Sequence, residues 1–436
     1  MPPGRGIAPL RGASPLRPSR AARLLLLTAG EDSVDNDAMA KRVETPHGRV
    51  RLARGLDRRI ASSHLWVYAG EIEEVTGDPA AGDIVDLFTH AARFCGRGFF
   101  NPHSKIRVRL LSFKEEPIDE GFWAKRLENA AALRRRVVAD TDAYRLVHAE
   151  GDLLPGLIVD RYGDLLVIQT LSFGMDCRKD MLADLLVSQT KAASVYLRND
   201  AKSRTLEGLP LTQGFLRGQG TTRPEIFEKR ARFWVDVEKG NKTGWFCDQR
   251  ENRWAVASLA GKAEVLEVFC HTGAFGIHAA LSGAESVLGL DVSAEAVAMA
   301  REHAVRNGVD KRCLYREADA FLELRRLERR GHRYGLVILD PPAFAKSKQA
   351  VAQALAGYKE INLRALQLLR SGGFLATCSC SHHVGEHQLW NTILQAARDA
   401  RRQVRLLEFR SQARDHPMLA VMPETRYLKC FILQVF

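Results

Sequence analysis

The feature that most constrains the fold of this 436-residue chain is a regular alternation of strand-like and helix-like segments after Phe233. Short apolar runs alternate there with helical patterns of about ten to fifteen residues. This alternation is typical of βαβ units, in which helices connect parallel strands and cover the sheet. We therefore predict a mostly parallel α/β domain over residues 231–436.

The first two strands of this domain carry the pattern of a nucleotide site. The strand Glu264–Phe269 is followed by a turn that contains Thr272, Gly273 and Gly276, and then by a helix. A strand that runs through such a turn into a helix lets the backbone approach a ligand closely. The next strand ends at Asp291, where a carboxylate can accept both ribose hydroxyls of an adenosine. A nicotinamide cofactor fits this much equally well.

The third and fourth strands distinguish the two cofactors. Asp319 follows the third strand, where the amino group of an adenine would lie, and the apolar fourth strand ends in Asp340-Pro341-Pro342. A proline disfavours helical geometry in the residue before it, so Asp340 and Pro341 are held extended past the sheet edge. Asp-Pro-Pro after the fourth strand is typical of methyltransferases and not of dehydrogenases. The predicted S-adenosylmethionine-binding residues are Phe269, Thr272, Gly273, Gly276, Asp291, Asp319, Asp340 and Pro341.

Two cysteines lie at the end of the fifth strand, in the run Thr-Cys-Ser-Cys-Ser. The fourth and fifth strands are neighbours in such a sheet, so Asp340 and Cys380 should face one crevice. Cys378 lies inside the strand, where a free cysteine is most often a small buried hydrophobe. We predict that Cys380, just beyond the strand, is the catalytic nucleophile and that Asp340 assists it.

A thiol at this position is suited to the methylation of carbon 5 of cytosine. That carbon is too poor a nucleophile to take a methyl group from a sulfonium directly. A thiolate that adds to carbon 6 turns carbon 5 into an enamine carbon. Asp340 would bond N3 and the exocyclic amine as charge develops there.

The N-terminal half has three parts. Residues 1–41 form a basic, acid-poor leader. An organellar presequence, a disordered tail and sequence upstream of a true start at Met39 all fit, and we prefer the last two together. Residues 42–116 show short strands and turns, which predict a small all-β domain. Residues 117–230 mix helix and strand patterns and predict a small α+β domain.

Charge and cysteine content bear on partners and location. Lys and Arg outnumber Asp and Glu by 64 to 52, which favours a polyanionic partner such as nucleic acid. The eight cysteines contain no Cys-x-x-Cys pair, so neither zinc nor a disulfide framework is expected, and a reducing cytoplasmic location fits best. No apolar run is long enough for a membrane span. The basic residues cluster at Arg49, Arg51, Arg54, Arg58 and Arg59, at Arg134–Arg136, and at Arg325, Arg326, Arg329, Arg330 and Arg333.

From Arg42 to the C-terminus the chain resembles the bacterial ribosomal RNA large subunit methyltransferase I family, which methylates carbon 5 of a cytidine in 23S rRNA. The resemblance implies a PUA-type RNA-binding domain, a small α+β domain and a Rossmann-like class I methyltransferase domain with a mostly parallel seven-stranded sheet. It implies S-adenosylmethionine as cofactor, 23S rRNA as partner, naked or in an assembly particle, and Cys380 as nucleophile. The motifs that carry it are NPHSKIRVRLLS, EGDLLPGLIVDRYGD, TGWFCDQRENR, VLEVFCHTGAFG, DPPAF, GYKEINLRALQLL, CSCS and DHPMLAVMPETRYLK.

The chain departs from the family pattern at two places. Cys378 stands where the family often has an apolar residue, which bears on which thiol reacts. His382 and His383 follow where small residues are more usual, which bears on the pocket for the base.

Two other functions stay open at this stage. A guanine N-methyltransferase can share the same framework, but the related enzymes lack the cysteine at position 380. A non-catalytic RNA-binding ribosome-assembly factor would have no need of all four of Asp291, Asp319, Asp340 and Cys380. The oligomeric state also stays open, with a homodimer among the options.

Overall fold

The computed structural model describes residues 44–345 and 347–436, and the first sheet in the chain has six strands. With one short helix, they are β1 (Gly48–Leu52), α1 (Arg58–Ala61), β2 (Trp66–Tyr68), β3 (Ile72–Thr76), β4 (Ile84–Phe88), β5 (Phe94–Phe100) and β6 (Ile106–Ser112). Their spatial order is β2-β6-β5-β4-β1-β3, and the pairs are antiparallel except β1 with β4. The predicted leader, residues 1–41, lies outside the described residues.

The core of this first sheet includes a residue from the far end of the chain. Val50, Val67 and Leu110 contribute to one buried apolar cluster, as alternation along half-buried strands predicts. Met422, in the loop before the last strand, is fully buried in the same cluster. An unbranched methionine side chain can fill an irregular gap between such residues. The packing of the N-terminal sheet therefore depends on a C-terminal loop.

A helix and a five-stranded sheet follow. Helix α2 (Glu120–Val137) begins where the Asp119 carboxylate accepts a hydrogen bond from the Phe122 amide at 2.8 Å. The next elements are β7 (Ala143–His148), β8 (Leu157–Tyr162), β9 (Leu165–Thr170), α3 (Phe173–Asp176), α4 (Lys179–Thr190), β10 (Ser194–Asn199) and β11 (Thr212–Arg217). The sheet order is β11-β10-β9-β8-β7. A separate hairpin, β12 (Glu225–Glu228) and β13 (Ala231–Trp234), leads into the last region.

The last region contains the predicted seven-stranded sheet. Its elements are α5 (Arg250–Ala257), β14 (Glu264–Val268), α6 (Ala274–Leu281), β15 (Ser286–Asp291), α7 (Ala294–Arg306), β16 (Cys313–Glu317), α8 (Ala320–Arg329), β17 (Tyr334–Leu339), α9 (Val351–Leu368), β18 (Leu369–Ser379), α10 (Glu386–Asp399), β19 (Val404–Arg410) and β20 (Lys429–Val435). The order is β16-β15-β14-β17-β18-β20-β19, and the pairs are parallel except those of β20 with β18 and β19. The Rossmann-like fold predicted from the sequence is confirmed.

Helices cover both faces of this sheet. Val256, Ile277 and Val297, from α5, α6 and α7, lie in one buried cluster, and Leu324 and Ile361, from α8 and α9, lie in the other. The carboxyl ends of the parallel strands consequently meet at one open edge, which is where ligands bind in this kind of fold. Within the described residues, no helix is both long and apolar enough to cross a bilayer.

Buried ion pairs connect the second sheet to the C-terminal region. Arg250, the first residue of α5, donates two hydrogen bonds of 2.9 Å to the Asp415 carboxylate, and both side chains are almost fully buried. The same carboxylate accepts from the Arg145 amide on β7 at 2.9 Å. Arg134 on α2 pairs with Asp152 and donates to the Asp415 carbonyl at 2.7 Å. Because an unpaired buried charge is costly, these contacts fix how α2, β7 and α5 are placed.

The arginine clusters seen in the sequence are partly structural. Arg134 belongs to the cluster Arg134–Arg136 but is buried, so that helix face is not simply solvated. Arg51 pairs with Glu74 at 2.7 Å, and Arg59 pairs with Glu71 at 2.8 Å. Less of the positive charge is therefore free for a polyanion than the sequence count suggests.

We predict that Asp415→Asn lowers the free energy of unfolding by about 3–5 kcal/mol, because it leaves the buried Arg250 guanidinium without its counter-charge. Denaturant titration of the full chain measures this loss. The matched control is the neighbouring Arg414→Ala. The Arg414 side chain is 67% exposed and pairs with Glu251 at 3.0 Å, so its loss should cost only about 0–1 kcal/mol. Equal effects of the two variants would contradict the structural role of the buried pair.

Candidate active site at the carboxyl edge of the seven-stranded sheet

The loop after β14 has an unusual backbone. Phe269, His271 and Gly273 all have positive φ angles, of 63°, 47° and 79°. The Gly273 amide donates to the Cys270 carbonyl at 2.7 Å, and α6 begins at the next residue. Non-glycine residues rarely adopt this conformation, and such strain is concentrated at binding and catalytic sites. The loop therefore presents its backbone at the sheet edge where the sequence places a nucleotide.

A buried carboxyl group, that of Glu267, connects the strand before this loop to the start of the helix after it. Glu267, on β14, accepts a hydrogen bond from the Phe275 amide at 3.1 Å at the start of α6. Burial raises the pKa of Glu267 to about 8, although hydrogen bonds from the Gly276 and Phe275 amides oppose the shift. A Cβ at Gly276 would lie 2.5 Å from the Glu267 Oε2 atom, so only glycine fits there. Glu267 was not among the predicted site residues.

The ends of β15 and β16 bring two further carboxylates to the edge. Asp291 accepts hydrogen bonds from the His271 amide at 2.8 Å and the Ser293 amide at 3.0 Å. Val292, the next residue, is an apolar side chain that is 73% exposed. Asp319 caps α8 by accepting from the Leu322 amide at 2.9 Å. The edge thus offers a carboxylate beside an exposed apolar side chain.

The remaining predicted residues lie around the same loop. The Asp340 amide donates to the Val268 carbonyl at 3.3 Å, which places the start of the Asp-Pro-Pro segment against the end of β14. The Phe269 ring lies 6.2 Å from the Phe344 ring, edge to face. Thr272 is buried, and its carbonyl contacts His303 Nδ1 at 3.0 Å. Thr272 therefore anchors the loop to α7 rather than facing solvent.

Asp340, at the end of β17, has a distinctive environment. Gln249 Nε2 donates to Asp340 Oδ1 at 2.8 Å. Burial raises the pKa of Asp340 to about 7, and the negative charge of Asp248 adds to the shift, against the hydrogen bond from Gln249. This carboxyl group can therefore hold a proton near neutral pH.

Asp248 lies near Asp340 but has the opposite electrostatic environment. Its Oδ2 atom accepts from Lys242 Nζ at 2.8 Å and from the Tyr427 hydroxyl at 2.6 Å. Burial alone would raise the pKa of Asp248, but Lys242, His416 and these hydrogen bonds hold it well below its usual range. The Oδ1 atom is buried and has no hydrogen-bond partner among the described residues. Two neighbouring carboxyl groups thus have pKa values shifted in opposite directions.

The two candidate thiols differ in environment. Cys378 is fully buried, opposite Cys430 in the pairing of β18 with β20. Cys380 lies just past β18, is partly exposed, and has its Sγ atom 4.0 Å from the Pro341 carbonyl oxygen. The structure therefore brings Cys380 and the Asp-Pro-Pro segment together. Burial raises the pKa of the Cys380 thiol to about 11, Asp340 adds to the shift, and Lys242 opposes it.

A hydroxyl network fixes the segment that carries Cys380. The Tyr358 hydroxyl, from α9, contacts Ser379 Oγ at 2.8 Å and Ser381 Oγ at 3.0 Å. Ser381 Oγ also accepts from the Ala345 amide at 3.3 Å, beyond the prolines. Both serines that flank Cys380 are thus held from within the core, which leaves the thiol between two fixed points.

Lys429 holds the next part of the same segment. It is the first residue of β20, where it pairs with Ser379 of β18, and its side chain is 6% exposed. Its Nζ atom donates to the Ser381 carbonyl at 2.7 Å and the Val384 carbonyl at 2.9 Å. Burial lowers the pKa of Lys429 to about 8, while Cys380 acts in the opposite direction.

Several residues of this site were not predicted as functional. Their signal was present, because Asp248, Gln249, Tyr358, Tyr427 and Lys429 lie inside the motifs TGWFCDQRENR, GYKEINLRALQLL and DHPMLAVMPETRYLK. No residue of those motifs ends a strand of the parallel sheet, so the strand-end criterion did not select them. The described residues contain no group of three or more His, Cys, Asp or Glu arranged to hold a metal ion.

Two solved structures share the fold of this chain. A methyltransferase complexed with SAH, S-adenosylhomocysteine, is similar with a TM-score of 0.77 and 20% identity, over 88% of this chain and 99% of that one. An S-adenosylmethionine-dependent methyltransferase from Streptococcus mutans gives a TM-score of 0.75 at 20% identity, with the same coverage. At this level of identity the likeness establishes the fold.

Sequence comparison goes further. Residues 50–113 match the model of a PUA-like domain, and residues 207–422 match that of an S-adenosylmethionine-dependent methyltransferase. The ribosomal RNA large subunit methyltransferase I of Shewanella denitrificans is 41% identical over 394 residues, 89% of this chain and 99% of that protein. The protein of the same name from Shewanella amazonensis is 40% identical over 393 residues, with the same coverage. The chain therefore belongs to the ribosomal RNA large subunit methyltransferase I family and is an S-adenosylmethionine-dependent rRNA methyltransferase.

Proposed function

We propose that this enzyme methylates carbon 5 of a cytidine in 23S rRNA through a covalent adduct on Cys380. The observation that carries the proposal is a partly exposed thiol just past β18, with its sulfur 4.0 Å from the Pro341 carbonyl beside Asp340. Direct methylation of a guanine nitrogen has no need of a thiol at this position. The target base must also leave its stack to reach a site at the sheet edge.

Cys380 supplies the nucleophile. Its thiolate adds to carbon 6 of the cytosine, and the electron pair of the 5,6 double bond moves towards carbon 5 and the ring nitrogen N3. Carbon 5 is then an enamine carbon and can attack an electrophilic methyl group, which S-adenosylmethionine supplies when bound. A water molecule then takes the carbon 5 proton as a base, the electron pair of the broken carbon–hydrogen bond forms the 5,6 double bond, and the carbon–sulfur bond breaks so that the sulfur leaves as the thiolate with its electron pair.

Asp340 holds a proton where the ring needs it. Because the pKa of this carboxyl group is raised to about 7, a substantial fraction is protonated at neutral pH. A protonated carboxyl can donate a hydrogen bond to N3 as negative charge develops there. Its second oxygen can accept a hydrogen bond from the exocyclic amine, and the hydrogen bond from Gln249 fixes the orientation of the group.

The cofactor would lie against the loop after β14. Asp291 can accept hydrogen bonds from the ribose hydroxyls, and the exposed Val292 side chain beside it offers an apolar surface for a purine. Asp319 lies beyond the edge strand β16 and is proposed to contact the adenine amino group. Positive φ angles at Phe269 and Gly273 turn the loop towards the same edge.

We further propose that three successive segments of the chain form domains with different roles. Residues 42–116 would form the PUA-type RNA-binding domain, residues 117–230 an α+β spacer, and residues 231–436 the catalytic domain. The matches to a PUA-like model and to a methyltransferase model support this order. Eight free cysteines are consistent with a reducing, cytoplasmic location.

We predict that Cys380→Ser abolishes methyl transfer but leaves the binding of S-adenosylhomocysteine unchanged, because a serine hydroxyl has no comparable anionic fraction at neutral pH. On 23S rRNA that carries 5-fluorocytosine at the target, the wild-type enzyme should form a stable covalent complex, since fluorine cannot leave as a proton does. Gel electrophoresis under denaturing conditions detects that complex, and Cys380→Ser should not form it.

The matched control is Cys378→Ser, two residues earlier in the chain. It should lose stability, because it buries a hydroxyl in an apolar core, but should still form the trapped complex. A trap that disappears in Cys378→Ser and survives in Cys380→Ser would reverse the assignment of the nucleophile. If no variant, including wild type, traps the analogue, covalent cytosine chemistry is the wrong mechanism.

We also predict a pH profile that reports Asp340. The reactive form has a protonated Asp340 and an ionised Cys380. When the two groups hold one proton between them, this form is the less populated of two, because the proton resides mainly on the thiol. Its population rises about tenfold per pH unit up to the pKa of Asp340, about 7, and stops rising there. Measured kcat/KM should therefore level off near pH 7. In Asp340→Asn it should fall by about 10²-fold or more and keep rising above pH 7.

A further inference from the structure

Lys429, which has no assigned role so far, is a buried lysine without a carboxylate partner among the described residues. Its ammonium group is held by two backbone carbonyls, those of Ser381 and Val384, at 2.7 and 2.9 Å. Neutral carbonyl dipoles do not cancel its charge. Burying an unpaired ammonium is costly, and proteins rarely retain one without a function.

The charged groups around Lys429 do not supply that missing charge. Glu386, on α10, is committed to Arg426 at 2.9 Å, and both of these side chains are exposed. The ammonium of Lys242, whose charge also acts on the Cys380 thiol, is balanced by Asp248 at 2.8 Å. Of the two lysines whose charges are coupled to Cys380 among the described residues, Lys429 is therefore the one without a carboxylate partner.

The geometry places Lys429 against the segment that carries the thiol, and the charge of Cys380 acts on the Lys429 ammonium. It pairs with Ser379 in the register of β18 and β20, and it bonds the carbonyl of Ser381, so its contacts bracket Cys380 on both sides. Two of its three protons are used by the carbonyls, which leaves one for another acceptor. Reactive cysteines characteristically lie beside a lysine, arginine or protonated histidine, because the cation stabilises the thiolate.

We propose that the Lys429 ammonium is the counter-ion of the Cys380 thiolate, a positioning residue that makes the thiol reactive. The inference rests on the proposed function, in which Cys380 is the nucleophile. On ionisation the thiol proton passes to solvent, the sulfur keeps the bonding electron pair, and Lys429 keeps its three protons. The result is an ion pair in a site where Asp340 and Asp248 alone would oppose the negative charge.

The competing explanation is that Lys429 serves only to clamp the loop. A clamp needs donors but no charge, so Lys429→Gln and Lys429→Arg separate the two roles. Glutamine keeps a donor to the carbonyls without the charge, whereas arginine keeps both. Lys429→Met removes both, and Lys242→Met is the matched control for loss of a neighbouring cation that already has a partner.

The experiment measures alkylation of Cys380 by iodoacetamide in the full chain, without RNA or cofactor. Mass spectrometry of the Cys380 peptide gives the rate for this residue alone, from pH 6.5 to 9.5. We expect Lys429→Met and Lys429→Gln to react at least about tenfold more slowly than wild type below pH 8, since one pKa unit is a factor of ten in thiolate. Lys429→Arg should stay within about threefold of wild type, and Lys242→Met should slow the reaction less than Lys429→Met does.

The shape of the profile provides a second readout. Lys429 loses its own proton at about pH 8, so the wild-type rate should level off there while the rate of Lys429→Met keeps rising. Above pH 8, the ratio of the wild-type rate to the rate of Lys429→Met should therefore fall by about tenfold per pH unit. Asp340 titrates in both proteins, so its effect on the alkylation rate cancels in the ratio of the two rates. A loop that is merely loosened would change the rate by a constant factor instead.

Unchanged alkylation in Lys429→Gln, with a normal melting temperature and normal affinity for S-adenosylhomocysteine, would overturn the inference. If Lys429→Met does not fold, the glutamine and arginine variants still decide the question. The outcome is independent of the methyl-transfer assay. Lysine-dependent alkylation in an enzyme that forms no 5-fluorocytosine trap would uphold the ion pair and reject the proposed function, and a trap without lysine dependence would do the reverse.

Discussion

The buried pair of Arg250 and Asp415 is the interaction on which the placement of the active site depends. Arg250 directly follows Gln249, which orients Asp340, and Asp415 lies in the C-terminal loop that also carries Tyr427. Fixing these two charges against one another sets the distance between the segments that supply those partners. Buried pairs of this kind add little net stability compared with apolar residues, but a misaligned pair is heavily penalised. The pair therefore selects one arrangement of the site over its near alternatives.

Environment, rather than residue type, differentiates the groups in the crevice. Asp248 and Asp340 are both aspartates near the same edge, yet Lys242 and Tyr427 keep one ionised while burial favours the protonated form of the other. Separated pKa values of chemically identical groups are how enzymes assign acid and base roles at neutral pH. The partly exposed Cys380 thiol depends on neighbouring charges in the same way, because partial burial raises its pKa and by itself would make it less reactive.

The topology of the sheet explains which residues of this site could be predicted from the sequence. Asp291, Asp340 and Cys380 each follow a strand, and parallel strands necessarily bring their carboxyl ends to one edge, so their approach could be anticipated. Tyr358 and Lys429 could not be found in this way, because their contacts with the Cys380 segment join positions tens of residues apart through the core. Local periodicity indicates which face of an element is buried, but it does not indicate which polar group meets which across a sheet.

Met422 has a consequence for how the chain reaches this structure. It contributes to the apolar core of the first sheet, yet it lies twelve residues after the end of β19 and 310 residues after the end of β6, the last strand of that sheet in the chain. During translation this part of the core of the N-terminal sheet stays unfilled until the loop that carries Met422 has emerged from the ribosome. Contacts of such long sequence separation slow folding and expose apolar surface in the interval. The nascent chain therefore exposes apolar surface of the first sheet until the loop with Met422 can pack against it.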